Sequence, residues 1–247
     1  MLLGVAGQSG LAAAEEGSGR LPGGFVYLRD VAPSVLQDMR YAGARNFTGK
    51  PVPGYGAAEC VLQRAAANGL KRAQEKAQAQ GLSLKVYDCY RPERAVRAFM
   101  AWAAAPEDGN TKRYYPRLAK SQLVPGYIAS QSTHSTGLAV DITLIPAGQP
   151  VEASVAGANG ACTAAAGERE GDSSLDMGTA FDCFDPKANT ASPSVTAEQS
   201  KARMLLESIM ESAGFENYAS EWWHYTFAGV KDRRRYDFPI GPHRSGQ

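Results

Sequence analysis

The segment Ser132-Thr-His-Ser-Thr-Gly-Leu-Ala-Val-Asp-Ile-Thr-Leu144 joins a histidine-bearing loop to an apolar strand that carries an aspartate. A second motif, Glu221-Trp-Trp-His224, lies far downstream. The chain has only 3 histidines, and two of them stand in these motifs beside carboxylates. Catalytic zinc usually takes three ligands from His, Asp and Glu and keeps one position open. We therefore predict one zinc ion per chain, bound by His134, Asp141 and His224.

Two further residues fit hydrolytic chemistry at such a metal. Glu221 stands three residues before His224, close enough to act as a general base and acid without binding the ion. Arg91 follows a predicted strand, and its permanent planar charge suits a negative tetrahedral intermediate. An ion pair with Asp88 or Glu93 is the alternative role for Arg91. For Asp141, the alternative is a cap or turn residue at a strand end.

Composition is that of an ordinary globular enzyme. Of 247 residues, 44% are hydrophobic and 21% are charged, with 26 Lys+Arg against 25 Asp+Glu. This near-neutral balance gives no indication of nucleic-acid binding or of an anionic membrane partner. No apolar run approaches the roughly 18 residues of a membrane helix, so we expect no membrane span. We assign no function to the basic run at residues 231–235, which we interpret as a solvated face.

Helices and strands alternate irregularly in the pattern of apolar residues, without a glycine-rich phosphate loop. We therefore predict an α+β fold, with a central, mostly antiparallel sheet flanked by helices in a single domain. Apolar spacing and glycine or proline breaks give the element boundaries. They predict strands at 24–29, 82–87, 138–144 and within 215–227, a helical turn at 33–39, and helices at 57–80, 93–104 and 198–213.

The domain is expected to span residues 23–247. Residues 1–14 are mostly small and apolar and end in three alanines before Glu15 and Glu16, and for residues 1–22 we expect either a remnant of a secretory signal or a mobile terminus. A low-complexity stretch at about residues 146–176 predicts a surface insertion.

Four cysteines, at positions 60, 89, 162 and 183, form no CxxC pair and lie away from the histidines. An even number in this arrangement predicts two disulfides, although the sequence alone permits three pairings. Buried free thiols are the alternative interpretation. Disulfides favour a periplasmic or secreted protein, with the cytoplasm as the alternative location.

Five motifs occur in order between Val26 and Pro239 and give the chain a family resemblance. They are Tyr41-Ala with Asn46-Phe-Thr-Gly, Asp88-Cys-Tyr-Arg91-Pro, Ser132-x-His134-x-x-Gly-x-Ala-x-Asp141, Met177-Gly-x-x-Phe-Asp182 and Glu221-Trp-Trp-His224. Together they resemble the zinc D-alanyl-D-alanine dipeptidases of the vancomycin-resistance type, which belong with the zinc DD-carboxypeptidases and the hedgehog-like fold.

The resemblance implies a substrate and the residues that bind it. The substrate is a small D-amino-acid dipeptide, with Asp182 as the partner of its ammonium group and Ser132 and Tyr41 lining the pocket. An anionic side chain suits a free amino terminus, although a turn or helix cap is the alternative for Asp182. The insertion and the cysteines depart from the short form of the family, and we expect them to affect the rim of the pocket.

Two other functions remain open from the sequence. The first is a peptidoglycan hydrolase, either a DD-carboxypeptidase or an L-Ala-D-Glu peptidase, with the same metal and a longer peptide. The second is a non-catalytic zinc module of the hedgehog kind. Glu221 argues against the second, because a purely structural metal site needs no base.

Overall fold

The computed structural model describes residues 21–107, 109–149 and 160–244. The expected signal remnant or mobile terminus, residues 1–22, lies outside these ranges except for its last two residues. Residues 150–159 of the predicted insertion also lie outside them.

The described residues form four helices and seven strands. The strands are β1 (Phe25–Tyr27), β2 (Leu36–Gln37), β3 (Val61–Gln63), β4 (Leu82–Asp88), β5 (Ala139–Pro146), β6 (Phe215–Asn217) and β7 (His224–Phe227). The helices are α1 (Leu28–Val31), α2 (Arg64–Gln78), α3 (Glu93–Ala104) and α4 (Ala197–Glu211). Short 3-10 turns, including Arg40–Ala42 and Thr133–Thr136, lie between them.

A five-stranded sheet in the order β2-β4-β5-β7-β6 forms the centre of the molecule. Only β2 and β4 pair in parallel, and the other neighbours are antiparallel. Helix α2 contacts β4 and α4, and α4 contacts β6. The predicted α+β class with a mostly antiparallel central sheet is therefore confirmed. Strands β1 and β3 form a separate antiparallel pair.

Local patterns located several elements correctly. Helix α3 has the predicted bounds, and it starts after Pro92, which is favoured beside the first helical turn. Helix α4 begins with a capping box in which Thr196 accepts a hydrogen bond from the Gln199 amide and the Gln199 side chain bonds back.

Three predicted elements were wrong in type or extent. Residues 33–39 contain strand β2 rather than a helical turn, because their backbone pairs with the sheet edge, where the Asp38 amide donates to the Val86 carbonyl. The strand expected at 24–29 ends at Tyr27 and continues as α1. The helix expected at 57–80 begins only at Arg64, since residues 61–63 pair with β1. In each case, pairing with a distant strand or a packed neighbour overrides local periodicity.

The alternation of Leu82, Leu84 and Val86 with polar residues in β4 is typical of a strand with one buried and one solvated face, yet both faces are buried. Lys85 has no exposed surface, and Tyr87 is 1% exposed. The segment at residues 169–176, within the predicted insertion, covers this face through Asp172. The Asp172 carboxylate lies 3.2 Å from Arg40 Nη2 and 3.4 Å from Lys85 Nζ, and it accepts a hydrogen bond from the Tyr87 hydroxyl.

The buried charge cluster is stabilised by opposite charges. Burial alone would raise the pKa of Asp172, but Lys85 and Arg40 outweigh it and lower that pKa to about 2. The insertion is thus tied to the sheet by paired charges along at least this segment.

Among the described residues, no helix combines the length and apolar character needed to cross a membrane.

Candidate active site

His134 is positioned by a short 3-10 turn at the start of β5. Ser132 Oγ accepts a hydrogen bond from the His134 amide at 3.2 Å. Gly137 ends the turn with φ of 73°, and an added Cβ there would overlap the Phe25 ring. His134 Nδ1 donates to the Cys89 carbonyl at 2.7 Å. This bond fixes the tautomer and leaves Nε2 unprotonated, so that its lone pair can bind a metal ion.

Asp141 and His224 are direct cross-strand neighbours on β5 and β7. Directly opposite residues share one face of the sheet, so both side chains point to the same place. His134 Nε2 lies 3.2 Å from Asp141 Oδ1 and 3.0 Å from His224 Nδ1, and the last two atoms are 3.1 Å apart. Three ligand atoms therefore converge from three parts of the chain, and they suit a single cation.

The charges of this group reinforce one another. Burial alone would raise the pKa of Asp141, but His134 and His224 lower it by charge and hydrogen bonding. Burial alone would lower the pKa of His224, but the bond to Asp141 and the charges of Asp141 and Glu221 raise it. A carboxylate that stays ionised in a buried position is a strong ligand for a metal ion.

Glu221 lies at the start of the turn that leads into β7. Its Oε2 is 3.8 Å from His224 Nδ1, beside the converging ligand atoms. Burial, together with repulsion from Asp141, raises the pKa of Glu221 to about 7. A carboxyl with this pKa can both accept and release a proton near neutral pH.

Arg91 lies between the end of β4 and the converging ligand group. Its Nε and Nη2 each lie 2.9 Å from Asp88 Oδ2, and Nη2 is 3.5 Å from Asp141 Oδ2. The guanidinium also faces the rings of Tyr41 and Phe99 at 5.2 and 5.1 Å. Arg91 thus does form the ion pair with Asp88 that was the alternative role. This ion pair is buried, and it holds the guanidinium within the site, beside Asp141. Glu93, the other suggested partner, bonds Arg235.

Asp182 and Tyr41 face the same cavity. The Tyr41 hydroxyl lies 3.1 and 3.0 Å from the two carboxylate oxygens of Asp182. Burial, together with repulsion from Asp141, raises the pKa of Asp182 well above its usual range. Asp182 has φ of 57°, in the left-handed region that non-glycine residues seldom adopt. Such backbone strain is common at binding sites.

All eight residues singled out from the sequence line one cavity of about 360 Å³. They are Tyr41, Arg91, Ser132, His134, Asp141, Asp182, Glu221 and His224. Phe47, Phe99, Tyr127 and Phe184 add apolar walls. A cavity that combines apolar walls with converging polar groups is the usual form of a small-molecule site.

Both predicted disulfides are present, and the interpretation as free thiols was wrong. Cys60 bonds Cys89, and Cys162 bonds Cys183. The first disulfide ends at the residue whose carbonyl holds His134, and the second ends beside Asp182. Each cross-link therefore fixes the backbone next to a residue of the cavity.

Comparison with known proteins places the chain in a family. The model of the Peptidase M15 family, described as D-ala-D-ala dipeptidase, matches residues 22–159 and 152–240. The chain belongs to the Peptidase M15 family. This is a family of metallopeptidases, in agreement with the His/Asp/His group.

Three relatives match this chain over most of their own length. A D-alanyl-D-alanine dipeptidase of Enterococcus faecium is 37% identical over 88% of this chain and 98% of its own. Proteins of the same name from Streptomyces coelicolor and Escherichia coli are 37% and 31% identical, over 89% and 81% of this chain and 100% and 83% of their own. A solved LdcB LD-carboxypeptidase matches with a TM-score of 0.42 and 17% identity, over 85% of this chain and 70% of its own.

Asp88 and Asn217 support the site but were not assigned to it from the sequence. Asp88 appeared there only as an alternative partner for Arg91, yet it is fully buried and also accepts a hydrogen bond from Tyr55 at 2.7 Å. Its position at the end of β4, three residues before Arg91, was the available signal. Asn217 lines the cavity from the end of β6, and nothing in its local sequence indicated this.

Proposed function

We propose that this protein is a zinc-dependent dipeptidase that hydrolyses D-alanyl-D-alanine. One observation carries the proposal: a single cavity contains both a His/Asp/His group and a buried carboxylate, that of Asp182, at a separate position. A dipeptide offers the matching pair of groups, a scissile carbonyl and a free ammonium. The names of the relatives support D-alanyl-D-alanine as the substrate.

His134, Asp141 and His224 would hold the zinc ion. Two imidazoles and a carboxylate are a donor set typical of catalytic zinc, and their three ligand atoms already converge. When bound, zinc supplies a Lewis acid that polarises a carbonyl and lowers the pKa of water. The Cys89 carbonyl keeps the His134 ring oriented toward the ion.

Glu221 is the proposed general base and acid. Its carboxylate lies beside the ligand atoms rather than among them, with 17% of the side chain exposed. From this position it can take a proton from the attacking water and return it to the leaving amine of the substrate. One carboxyl then serves both halves of peptide hydrolysis.

Arg91 is proposed to stabilise the negative charge that develops on the scissile carbonyl oxygen. Asp88 and the two aromatic rings hold the guanidinium in place before substrate arrives. A donor that needs no reorganisation during the reaction stabilises a transition state most effectively.

Asp182 is proposed to bind the ammonium group of the substrate, with Tyr41 holding its carboxylate and Ser132 lining the path between. An arriving ammonium favours the ionised form of Asp182, which opposes the effect of burial on its pKa. Because Asp182 is only 4% exposed, a substrate with a blocked amino end would lose its bond to this carboxyl, and little solvent could replace the lost contact.

The test compares D-alanyl-D-alanine, its N-acetyl derivative and a pentapeptide that ends in D-alanyl-D-alanine. We expect D-alanine release from the dipeptide, and a kcat/KM about 10⁴-fold lower for the N-acetyl form. Asp182→Asn should narrow this difference, whereas Asp232→Asn, at an exposed site, should not. Preferred release of D-alanine from the pentapeptide would identify a DD-carboxypeptidase instead. With a pentapeptide that begins with L-Ala-D-Glu, cleavage of that first bond without release of D-alanine would identify an L-Ala-D-Glu peptidase.

We further propose that residues 23–247 form the zinc peptidase domain and act outside the cytoplasm. Two disulfides support this location, because disulfides persist in oxidising compartments. Cell fractionation with a cytoplasmic marker tests it. Recovery of the protein with that marker would favour the cytoplasm.

A further inference from the structure

The side chain of Asn217 lies beneath the turn that carries Glu221 and His224. Its Nδ2 donates to the Glu221 carbonyl and to the His224 carbonyl, each at 3.1 Å. A primary amide nitrogen has two protons, so both are used by these two bonds. Although Asn217 lines the cavity, its amide nitrogen therefore has no proton left for a substrate.

A second residue fixes the orientation of this amide. Thr190 Oγ1 donates to Asn217 Oδ1 at 2.6 Å, and the Thr190 amide donates to the Ala219 carbonyl at 3.0 Å. The amide of Asn217 thus has carbonyls on its nitrogen side and a hydroxyl on its oxygen side. This arrangement leaves only one sensible assignment of its oxygen and nitrogen.

The turn has a backbone pattern of its own that the amide reinforces. The Glu221 amide donates to the Tyr218 carbonyl at 2.8 Å, and the His224 amide donates to the Glu221 carbonyl at 3.2 Å. The Tyr218 amide donates to the His224 carbonyl at 2.9 Å. The carbonyls of Glu221 and His224 therefore each accept a backbone hydrogen bond even without Asn217. The distinct contribution of Asn217 is to tie the two together.

We propose that Asn217 is a positioning residue that sets the distance between the proton-transferring carboxylate of Glu221 and the metal-binding imidazole of His224. Thr190 holds the Asn217 amide in the orientation that this requires. The inference rests on the roles proposed above for Glu221 and His224. Aspartate could not replace Asn217, because its carboxylate would face two carbonyl oxygens, and leucine would fill the volume without donating a proton.

The experiment compares Asn217→Leu and Thr190→Val with a matched control, Gln74→Leu. Gln74 is also a buried amide that bonds a carbonyl, a hydroxyl and a backbone amide, those of Ser34, Ser83 and Leu84. It lies in α2 and does not line the cavity described above. Zinc affinity is measured by competition with a chromophoric chelator. Steady-state kinetics with D-alanyl-D-alanine give kcat and KM, and urea unfolding of the metal-free protein gives the stability.

We expect Asn217→Leu to lower both kcat and zinc affinity by about 10- to 100-fold, with little change in KM. Thr190→Val should also lower kcat and zinc affinity, but by a smaller factor. Thr190→Ser should keep both at the wild-type level, because serine keeps the hydroxyl. Gln74→Leu should lower stability without changing kcat or zinc affinity.

Three results would overturn the inference. The first is unchanged kcat and zinc affinity in Asn217→Leu. The second is an equal loss in Gln74→Leu, which would show that lowered stability alone explains the effect. The third applies if Asn217→Leu does not fold. It is a Thr190→Val protein whose kcat and zinc affinity both equal those of the Thr190→Ser protein. Should the wild type bind zinc but leave D-alanyl-D-alanine intact, the proposed function fails, and the zinc affinities still test Asn217.

Discussion

Replacing Asp172 by asparagine should destabilise the protein in a manner that depends on pH. Asparagine keeps the shape of the side chain but removes the charge that faces Arg40 and Lys85. The Asp172 side chain is only 14% exposed, so solvent screens its contacts with these two residues little. The folded protein lowers the pKa of Asp172 from 3.8 to about 2, which corresponds to about 2 kcal/mol of folding free energy.

The sign follows from the direction of the shift. A carboxyl whose pKa is lower in the folded state stabilises the fold above its unfolded pKa, where both states are ionised. That contribution is lost as pH falls from 3.8 toward about 2, where the folded protein also takes up the proton. The difference in stability between wild type and Asp172→Asn should therefore be constant from neutral pH down to about pH 5 and should shrink below about pH 4.

Urea unfolding of both proteins at a series of pH values measures this difference. Asp232→Asn is the matched control, because Asp232 also pairs with an arginine, Arg234, but its side chain is 49% exposed. Exposed pairs contribute little to stability, so the control should resemble wild type. A loss in Asp172→Asn no larger than in the control, or one that does not change with pH, would refute the argument that paired charges anchor the insertion.

Three further predictions concern the site. Glu221→Gln should retain zinc and lose about 10³-fold in kcat, because proton transfer is removed while the ligand atoms stay. Zinc content and steady-state kinetics measure these effects. Retained turnover would contradict the role of Glu221 as the base. Arg91→Lys should retain zinc and lose about 10²-fold in kcat, since the forked donor geometry is lost. A metal-free Arg91→Lys protein would mean that the arginine is structural. Replacing both Cys60 and Cys89 by serine should weaken zinc binding more than the same change at the second disulfide, because only Cys89 holds His134; equal zinc affinities in the two variants would exclude this.

The amino-acid sequence by itself identified the residues that converge in the cavity and much of the core sheet. The histidines are few and stand beside carboxylates in short motifs, so His134, Asp141, His224 and Glu221 could be chosen before any fold was known. Helix α3 and strand β4 were also located from local patterns, because apolar spacing and a flanking proline act over a few residues.

Only the tertiary structure decided which faces are buried and which side chains hold the site residues in place. Strand β2, the full burial of Lys85 by Asp172, and the bonds of Asn217 beneath the turn all depend on partners that lie elsewhere along the chain. Strand pairing and charge burial are set by residues brought together in space, and their energies outweigh the local preferences of a short segment. The motifs could therefore predict which groups converge in one cavity, whereas the groups that position them follow from packing.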